Sequence, residues 1–573
     1  MSTTEIPVQH VNGEPLNETQ RQYLDGYFSG LAASGLRFSD VEPLPAAGKK
    51  ISLDDLIFEE RVKHELHPLD VYDQIVENAV NNKAPDKEEI FRFKWNGLFF
   101  LSPNKEAFMS RLRIPGGLLK TFQLRELANV AKELTTGYVQ ITTRANLQMR
   151  LIQPKDCPEF LHRVQTVGLH TRGAGADNIR NLTANPTAGI DPHELIDVMP
   201  LCQQLGQIII NDRSFYDLPR KFNIAYDGGG LIGTVEDTND IGARAVKVGD
   251  EILFRIALGG ATGHKAFARD LGVLVKPSEL NKVVVALVRV YIANGNRTDR
   301  KKARLKHLLE TWSLEKYLAE TEKLLGYQVR RAPADLKSET SNPKASEGIH
   351  THIGVYPQKQ TGFNYVGVAI PVGQLTPKQM IRLAEIAELY GSAEVRLTVW
   401  QNLIIPNVPD AFVATVEKAV RKLGFDTRQS HLRGGLIACT GNSYCKFAQA
   451  NTKGHAVALA DYLEKKLTLD QPLNIHVTGC PNSCAQHYMG DIGLLGTKVK
   501  GEDGYHVFIG GGFGANQSVG RQVFTGLTFE DLKPTLEKML KAYQRHRTPG
   551  EAFQKFTARH DLNTLQRFFT NDE

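Results

Sequence analysis

The chain has 573 residues, too many for one hydrophobic core, so two to four domains are expected. Its 41% hydrophobic and 23% charged residues are ordinary for a water-soluble globular protein. A formal net charge of +6 over so large a surface does not argue for nucleic acid, and six cysteines are too few for a disulfide framework.

In chain order, the start "MSTTEIPVQHVNGEPLNETQ" is polar and partly acidic, without the basic and apolar blocks of a secretory signal. A cytoplasmic protein is therefore expected. An N-terminal arm, 1–90, ends in "FEERVKHELHPLDVYDQIVENAV", which reads as helical and amphipathic and suited to wrapping the body. After "IPGG", the stretch "TFQLRELANVAKELT" has apolar residues at helical spacing. "GYVQITTRANLQMRLI" then alternates: Val139, Ile141, Thr143, Ala145, Leu147 and Met149 on one face, Gln140, Thr142, Arg144, Asn146, Gln148 and Arg150 on the other. The polar face must meet water, a partner or a ligand, and its arginines suit an anion-rich ligand. The longest apolar run, "VVVALVRVYIA" (283–293), is too short to span a bilayer and contains Arg289. The basic "RKKARLKH" (300–307) reads as a solvated helix face. "GGGFG" (510–514) lacks the spacing of a dinucleotide loop and reads as a structural turn.

The chain contains itself twice. At a constant offset of 256, Ile114 and Pro115 fall on Ile370 and Pro371, Gly117 on Gly373, Thr142 on Thr398, Asn146 on Asn402 and Gly168 on Gly424. A second register, at 251, sets "FNIAYDGGG" (222–230) on "LNIHVTGCP" (473–481) and "FRIALGGATG" (254–263) on "YHVFIGGGFG" (505–514). Two copies of a two-part unit follow the arm: 91–172 with 173–345, then 346–428 with 429–573. A mixed α/β (α+β) fold in a pseudo-twofold arrangement is expected, the two copies serving opposite faces of whatever lies between them.

Cys157 and Cys202 stand alone and read as buried small hydrophobes. The other four cysteines cluster in the second copy: Cys439 and Cys445, then Cys480 and Cys484. Structural zinc sites favour pairs two to four residues apart, which only the second pair satisfies. Iron–sulfur clusters take four thiolates at more varied spacings.

"ACTGNSYC" and "TGCPNSC" resemble the siroheme and [4Fe–4S] reductases of nitrite and sulfite. The resemblance runs over roughly residues 90–570, through "RLRIPGG", "DNIRNLTANPTAGIDP", "LPRKFN" and "GNRTDRK". It implies two ferredoxin-like half-domains and two siroheme/Fe–S domains, with Cys439, Cys445, Cys480 and Cys484 as cluster ligands and Cys484 bridging to the siroheme iron. It further implies Thr142, Arg144, Gln148 and Arg220 as siroheme contacts, and Arg111, Arg180, Lys221 and Asn223 as the substrate-anion site. Gln140 stands where the sulfite enzymes carry an arginine, which removes one salt bridge.

Asn223 occupies a position that is asparagine in the nitrite enzymes and lysine in the sulfite enzymes of this family, and a neutral amide suffices for a monoanion. Six-electron reduction of nitrite to ammonia is the activity implied, with sulfite reduction the alternative. A corrin-biosynthesis oxygenase of the same family and an electron carrier or zinc scaffold are rivals that have no use for the anion-binding quartet. No flavin or nicotinamide domain is visible, so electrons are expected from a separate acidic ferredoxin or flavodoxin. Lys446, Lys453 and Lys498 are the candidate docking cations because they follow the cluster motifs. A monomer that binds neither nucleic acid nor membrane is expected.

Overall fold

The computed structural model describes residues 10, 11, 14, 15, 21, 56–100, 106–333, 336, 351–428 and 430–570. Most of the expected arm thus lies outside the described residues. Its end forms two helices, Phe58–Glu65 and Tyr72–Val80, where the sequence suggested one amphipathic run. The break falls around Pro68, which removes a backbone donor and disfavours helix in the residue before it. The first helix packs Val62 against Phe91, Trp95 and Tyr216, and the second sends Ile75 into the main core. Glu60 accepts from Lys63 at 2.6 Å and pairs with Arg297 at 2.6 Å, which fastens this end of the arm to the body.

The duplication is visible in the folded chain. Helices Thr121–Leu134 and Cys157–Thr166 recur as Pro377–Tyr390 and Val413–Lys422, each displaced by 256 residues. Strands Ile241–Val248 and Glu251–Leu258 recur as Ile492–Val499 and Glu502–Ile509, displaced by 251.

Each ferredoxin-like half has a five-stranded sheet, and each sheet borrows a strand from the other half. Leu118–Lys120 pairs with Glu394–Leu397 in the second half, Leu119 opposite Val395. In return Gln374–Leu375 pairs with Val139–Ile141 in the first, Leu375 opposite Val139. Both borrowed strands follow the Ile-Pro corners that match at offset 256, so the exchange is reciprocal. It merges the halves into one core, in which Leu124, Leu127 and Ala131 share a cluster with Met380, Leu383 and Ala387.

The alternating stretch 139–152 is a hairpin and not one strand. Val139–Ile141 and Leu147–Ile152 run antiparallel, with Gln140 opposite Gln148 and Ile141 opposite Leu147. The intervening turn is closed by the Thr142 N–H on the Asn146 carbonyl at 2.9 Å, with Ala145 at φ +48°. The pairing keeps residues of one parity on one face, so the alternation survives the reversal of direction.

The two remaining sheets share one topology. In the first copy Thr183–Ala184, Ile224–Asp227 and Ile241–Val248 run parallel, followed by the antiparallel Glu251–Leu258 and Arg269–Val275. In the second, Gly435–Ala438, Asn474–Thr478 and Ile492–Val499 are followed by Glu502–Ile509 and Arg521–Thr528. The apolar run 283–293 lies inside the buried helix Leu280–Asn294, and among the described residues no helix is long and apolar enough to cross a membrane. At Gly511 an added Cβ would stand 2.6 Å from the Gly490 oxygen, as befits a close-packed turn.

The basic run 300–307 departs from the expected solvated face. Arg300 pairs with Asp177 at 2.6 Å and Glu59 at 3.2 Å, and Arg304 with Asp240 at 2.7 Å, leaving Lys301 and Lys302 exposed. Asp177 and Asp240 are both 0% exposed, and buried carboxylates require cations.

The corner at Gly117 is where the first borrowed strand leaves its own half. Its φ is +75°, and an added Cβ would stand 2.5 Å from the Leu397 carbonyl oxygen across the exchange. Gly117→Ala is expected to cost at least about 2 kcal/mol in urea unfolding. Gly137→Ala, at φ +78° with open space around it, should cost about half as much. Equal costs would show that the corner tolerates the added carbon.

Candidate active site

Neighbouring parallel strands finish at the same edge of a sheet, and that places the cysteines. Ala438 stands opposite Val477 in register, so the chain emerges as Cys439 beside Thr478-Gly479-Cys480. The Cys439 N–H donates to the Val477 carbonyl at 3.0 Å, and the Gly479 N–H donates to Cys439 Sγ at 3.2 Å. Thr452 is buried between the loops and donates its hydroxyl to the Cys439 carbonyl at 2.7 Å. The Cys445 loop folds back so that the Gln449 N–H meets the Gly479 carbonyl at 2.8 Å.

All four thiols are free, and as thiolates they repel one another. Burial and then its three neighbouring sulfurs push the Cys480 thiol up to about 11, and burial pushes Cys439 up as well. A cationic centre reverses that cost by drawing the protons off. Four thiolates at one sheet edge can hold a multi-iron cluster, each on a different iron. Cys157 and Cys202 are buried among apolar side chains, as expected.

Cys484 is the exposed member of the set, and its loop meets the first copy. Its carbonyl accepts from the Thr143 hydroxyl at 3.1 Å, at the tip of the 139–152 hairpin. Its thiolate is within electrostatic reach of Arg111, Arg144 and Lys221.

These cations are positioned largely by backbone. Arg111, the last residue of strand Phe108–Arg111, lies over the Phe99 ring at 4.9 Å and donates to the Ala174 carbonyl at 3.2 Å. Arg180 donates to the same carbonyl at 2.9 Å and to Ala176 at 2.8 Å. Arg113, two residues beyond Arg111, fixes the loop by donating to the carbonyls of Arg172, Ile179 and Arg180. Lys221 and Asn223 precede strand Ile224–Asp227, and the Asn223 N–H donates to Asp240 Oδ2 at 2.9 Å. Asp240 also accepts from Arg304, which brings that buried guanidinium beside Lys221.

Burial lowers the pKa of every member of the group, and neighbouring cations lower Lys221, Arg144 and Arg180 further. Lys221 is brought to about 7 and Arg144 to about 10, while Arg180 falls well below the usual arginine range and Arg111 below it through burial. So much half-buried positive charge in one place fits a polyanionic ligand, and a tetrapyrrole carrying eight carboxylates is one.

The other expected siroheme contacts divide. Arg144 donates to Asn239 at 3.1 Å and Arg220 to Asp177 at 3.4 Å. Thr142 hydrogen-bonds Asn146, and the Gln148 side-chain carbonyl accepts from Arg150 at 2.9 Å, so both hold the hairpin. Arg150 also donates to Gln140 at 3.1 Å and to Thr440 at 2.7 Å, and lies 5.4 Å from the Tyr444 ring centroid. A cation therefore stands beside Gln140 after all, supplied from the paired strand. Sequence reasoning saw Arg150 only as one polar residue of an alternating face, and it missed Arg304, Asp240 and Arg113. The repeated arginine in "RLR" was the one available signal, and it pointed to Arg113.

The expected docking cations also divide. Lys446 is exposed beside the exposed Phe447, and Lys498 pairs with Asp503 at 2.6 Å. Lys453 is 7% exposed and cannot belong to a docking surface. It is the second residue of helix Thr452–Lys466 and turns inward, where backbone carbonyls satisfy its ammonium.

A parallel-sheet edge carrying four thiols, with Cys484 within reach of a nest of half-buried cations, defines an oxidoreductase of the iron–sulfur, tetrapyrrole class. The nitrite and sulphite reductase 4Fe-4S domain matches residues 175–329 and 433–571, and the nitrite/sulfite reductase ferredoxin-like half domain matches 102–167 and 356–423. The chain is 37% identical to the ferredoxin–nitrite reductase of Synechococcus elongatus over 84% of its own length and 95% of the relative's. It is 34% identical to the chloroplastic ferredoxin–nitrite reductase of Zea mays over 78% of this chain and 81% of that one. The Mycobacterium tuberculosis NirA protein superposes with a TM-score of 0.82 at 28% identity, covering 89% of this chain and 98% of that chain. The chain belongs to the nitrite and sulfite reductase family, whose cofactors are a siroheme and a [4Fe–4S] cluster.

The depressed Lys221 ammonium makes a prediction about the chain without cofactors. Its folded pKa, about 7, lies below the ordinary lysine value, so the cost of burying its charge is complete below pH 7. That cost fades as pH rises towards the unfolded value. Lys221→Met should therefore stabilise the cofactor-free protein at pH 7, by on the order of 2 kcal/mol, and the advantage should shrink by roughly 1 kcal/mol per pH unit above it. Urea unfolding of both proteins from pH 6 to pH 10 measures the difference; a gap independent of pH would remove the ammonium as its cause.

Proposed function

We propose that this protein reduces nitrite to ammonia, drawing six electrons singly from a ferredoxin-type donor and taking up eight protons to leave ammonium and two waters. The observation that carries the reading is the set Arg111, Arg180, Lys221 and Asn223 drawn up on the first copy while the second copy turns Cys484 towards it. The relatives named ferredoxin–nitrite reductase support the same substrate and donor. The site division 91–172, 173–345, 346–428 and 429–573 belongs to this proposal, as does a monomeric, cytoplasmic enzyme able to use flavodoxin in place of ferredoxin.

In this reading Cys439, Cys445, Cys480 and Cys484 hold the cluster, and Arg144 and Arg220 meet the siroheme carboxylates, with Thr142 and Gln148 supporting the hairpin beneath them. The bound siroheme and cluster supply the redox chemistry, passing electrons one at a time to the anion. Arg111 and Arg180 bind the anion through charge-assisted hydrogen bonds, which strengthen as its oxygens gain charge. The two guanidiniums are already anchored to backbone carbonyls, so little reorganisation is needed when the anion arrives. Lys221 Nζ is the proton donor to a departing oxygen. A group near pH 7 can both give up a proton and recover one from water within a turnover. Asn223 contributes a neutral amide, sufficient for a monoanion, and its backbone is locked by Asp240.

The test is ammonium formation from nitrite and sulfide formation from sulfite, assayed with the same reduced ferredoxin. A much higher kcat/KM for nitrite is expected; the reverse would transfer the enzyme to sulfite. Lys221→Met should lower kcat for nitrite by about 10²–10⁴, the usual contribution of a positioned proton donor. Asn223→Lys adds a cation to the pocket and should move the nitrite-to-sulfite ratio of kcat/KM towards sulfite by about tenfold or more. An unchanged ratio would place discrimination elsewhere.

A further inference from the structure

One buried charge takes no part in substrate binding. Lys453 lies in the first turn of helix Thr452–Lys466, next to the cysteine loops. Its ammonium donates to the carbonyl of Val372 and, at 3.4 Å, to that of Ala438, the residue before Cys439. Two neutral carbonyls do not account for a lysine here. A glutamine amide could serve them without burying an ammonium, which is costly unless an opposite charge is near. Burial, the larger effect, lowers the Lys453 ammonium to about 7; the Cys439 sulfur is the acidic group that acts against this, and Arg150 adds to the lowering.

Cys439 is also the sulfur most closely held by the chain. The Gly479 N–H points at its Sγ, and the Thr452 hydroxyl lies 3.6 Å away. The N-terminal end of the same helix, capped by Asn451 on the Gly454 N–H, adds its partial positive charge on that side. A cluster with four thiolates is anionic when oxidised and gains one more negative charge when reduced. A fixed positive charge in low dielectric therefore favours the reduced form.

We propose that Lys453 is a positioning residue for the iron–sulfur site: it pins the strand end that carries Cys439 and sets a positive charge behind the cluster, raising its reduction potential. One electron passes from a reduced ferredoxin-class donor, which is oxidised, to the cluster, which is reduced, and the lysine makes that transfer more favourable. The inference rests on the cluster assignment and extends it to a residue outside the ligand set.

The experiment is a redox titration of the full-length holoprotein, following the electron paramagnetic resonance signal of the reduced cluster. If the unaltered protein shows no such signal, the functional reading fails, and this inference with it. Given the signal, Lys453→Gln keeps an amide donor for the two carbonyls and removes only the charge. It should lower the midpoint potential by about 59 mV or more, a tenfold change in the reduced-to-oxidised ratio for a one-electron couple. Lys453→Met should shift it at least as far, and Lys453→Arg should stay near the unaltered value. Lys453→Gln with a full cluster and an unmoved potential would overturn the proposal. If Gln and Met variants lose the cluster and the Arg variant keeps it, the need for charge stands; loss in all three would overturn it in favour of packing alone.

Discussion

Positive charge gathered in one half-buried place is the constraint on which this protein turns. Arg111 lowers the pKa of Arg144 and Arg180, Arg180 lowers that of Lys221, and Asp177 and Asp240 are already engaged by Arg300 and Arg304. Such a nest is tolerable in a folded chain only because backbone carbonyls and an amide hold its members in place, at Ala174, Ala176 and Asn239. It becomes favourable when anions enter. In the proposed function, siroheme carboxylates and a small oxyanion would draw on that electrostatic cost when they bind.

The duplication explains how one chain can present two different sets of groups on one backbone plan. The same backbone clip exists in both copies: Asp240 accepts from the Asn223 N–H, and 251 residues later Asp491 accepts from the Asn474 N–H, both at 2.9 Å. In the first copy the aspartate also holds Arg304. In the second it takes the Asn474 side-chain amide at 2.7 Å instead, and burial pushes its carboxyl up to about 7. The clip is therefore structural and shared, while the charge around it has diverged. One copy presents cations after its strand edge and the other presents thiols. The reciprocal strand exchange locks the two together, since neither half-domain sheet is complete without a strand from its counterpart.

Much of the site was legible because its signals are local. Four cysteines within 46 residues, the internal registers and the motif cations can all be read along the chain. What could not be read was the destination of individual charges. "RKKARLKH" suggested a solvated face, yet Arg300 and Arg304 turn inward because Asp177 and Asp240, more than 60 residues earlier, are sealed from water. Lys453 reads as surface, yet its ammonium finds carbonyls on two other segments. Arg150 reaches Gln140 only because a five-residue turn reverses the chain between them.

Composition and order along the chain, by themselves, determined that there are two copies, that four thiolates lie in one of them, and that a family-specific set of cations lies in the other. These follow from residue identity and spacing, which folding does not alter. The tertiary structure alone decided which cations meet buried carboxylates and which are held by backbone carbonyls, and which strands complete which sheet. Those outcomes depend on groups distant in sequence entering a shared region of low dielectric, where each charge must find its counterpart or remain exposed to the next ligand that can supply one.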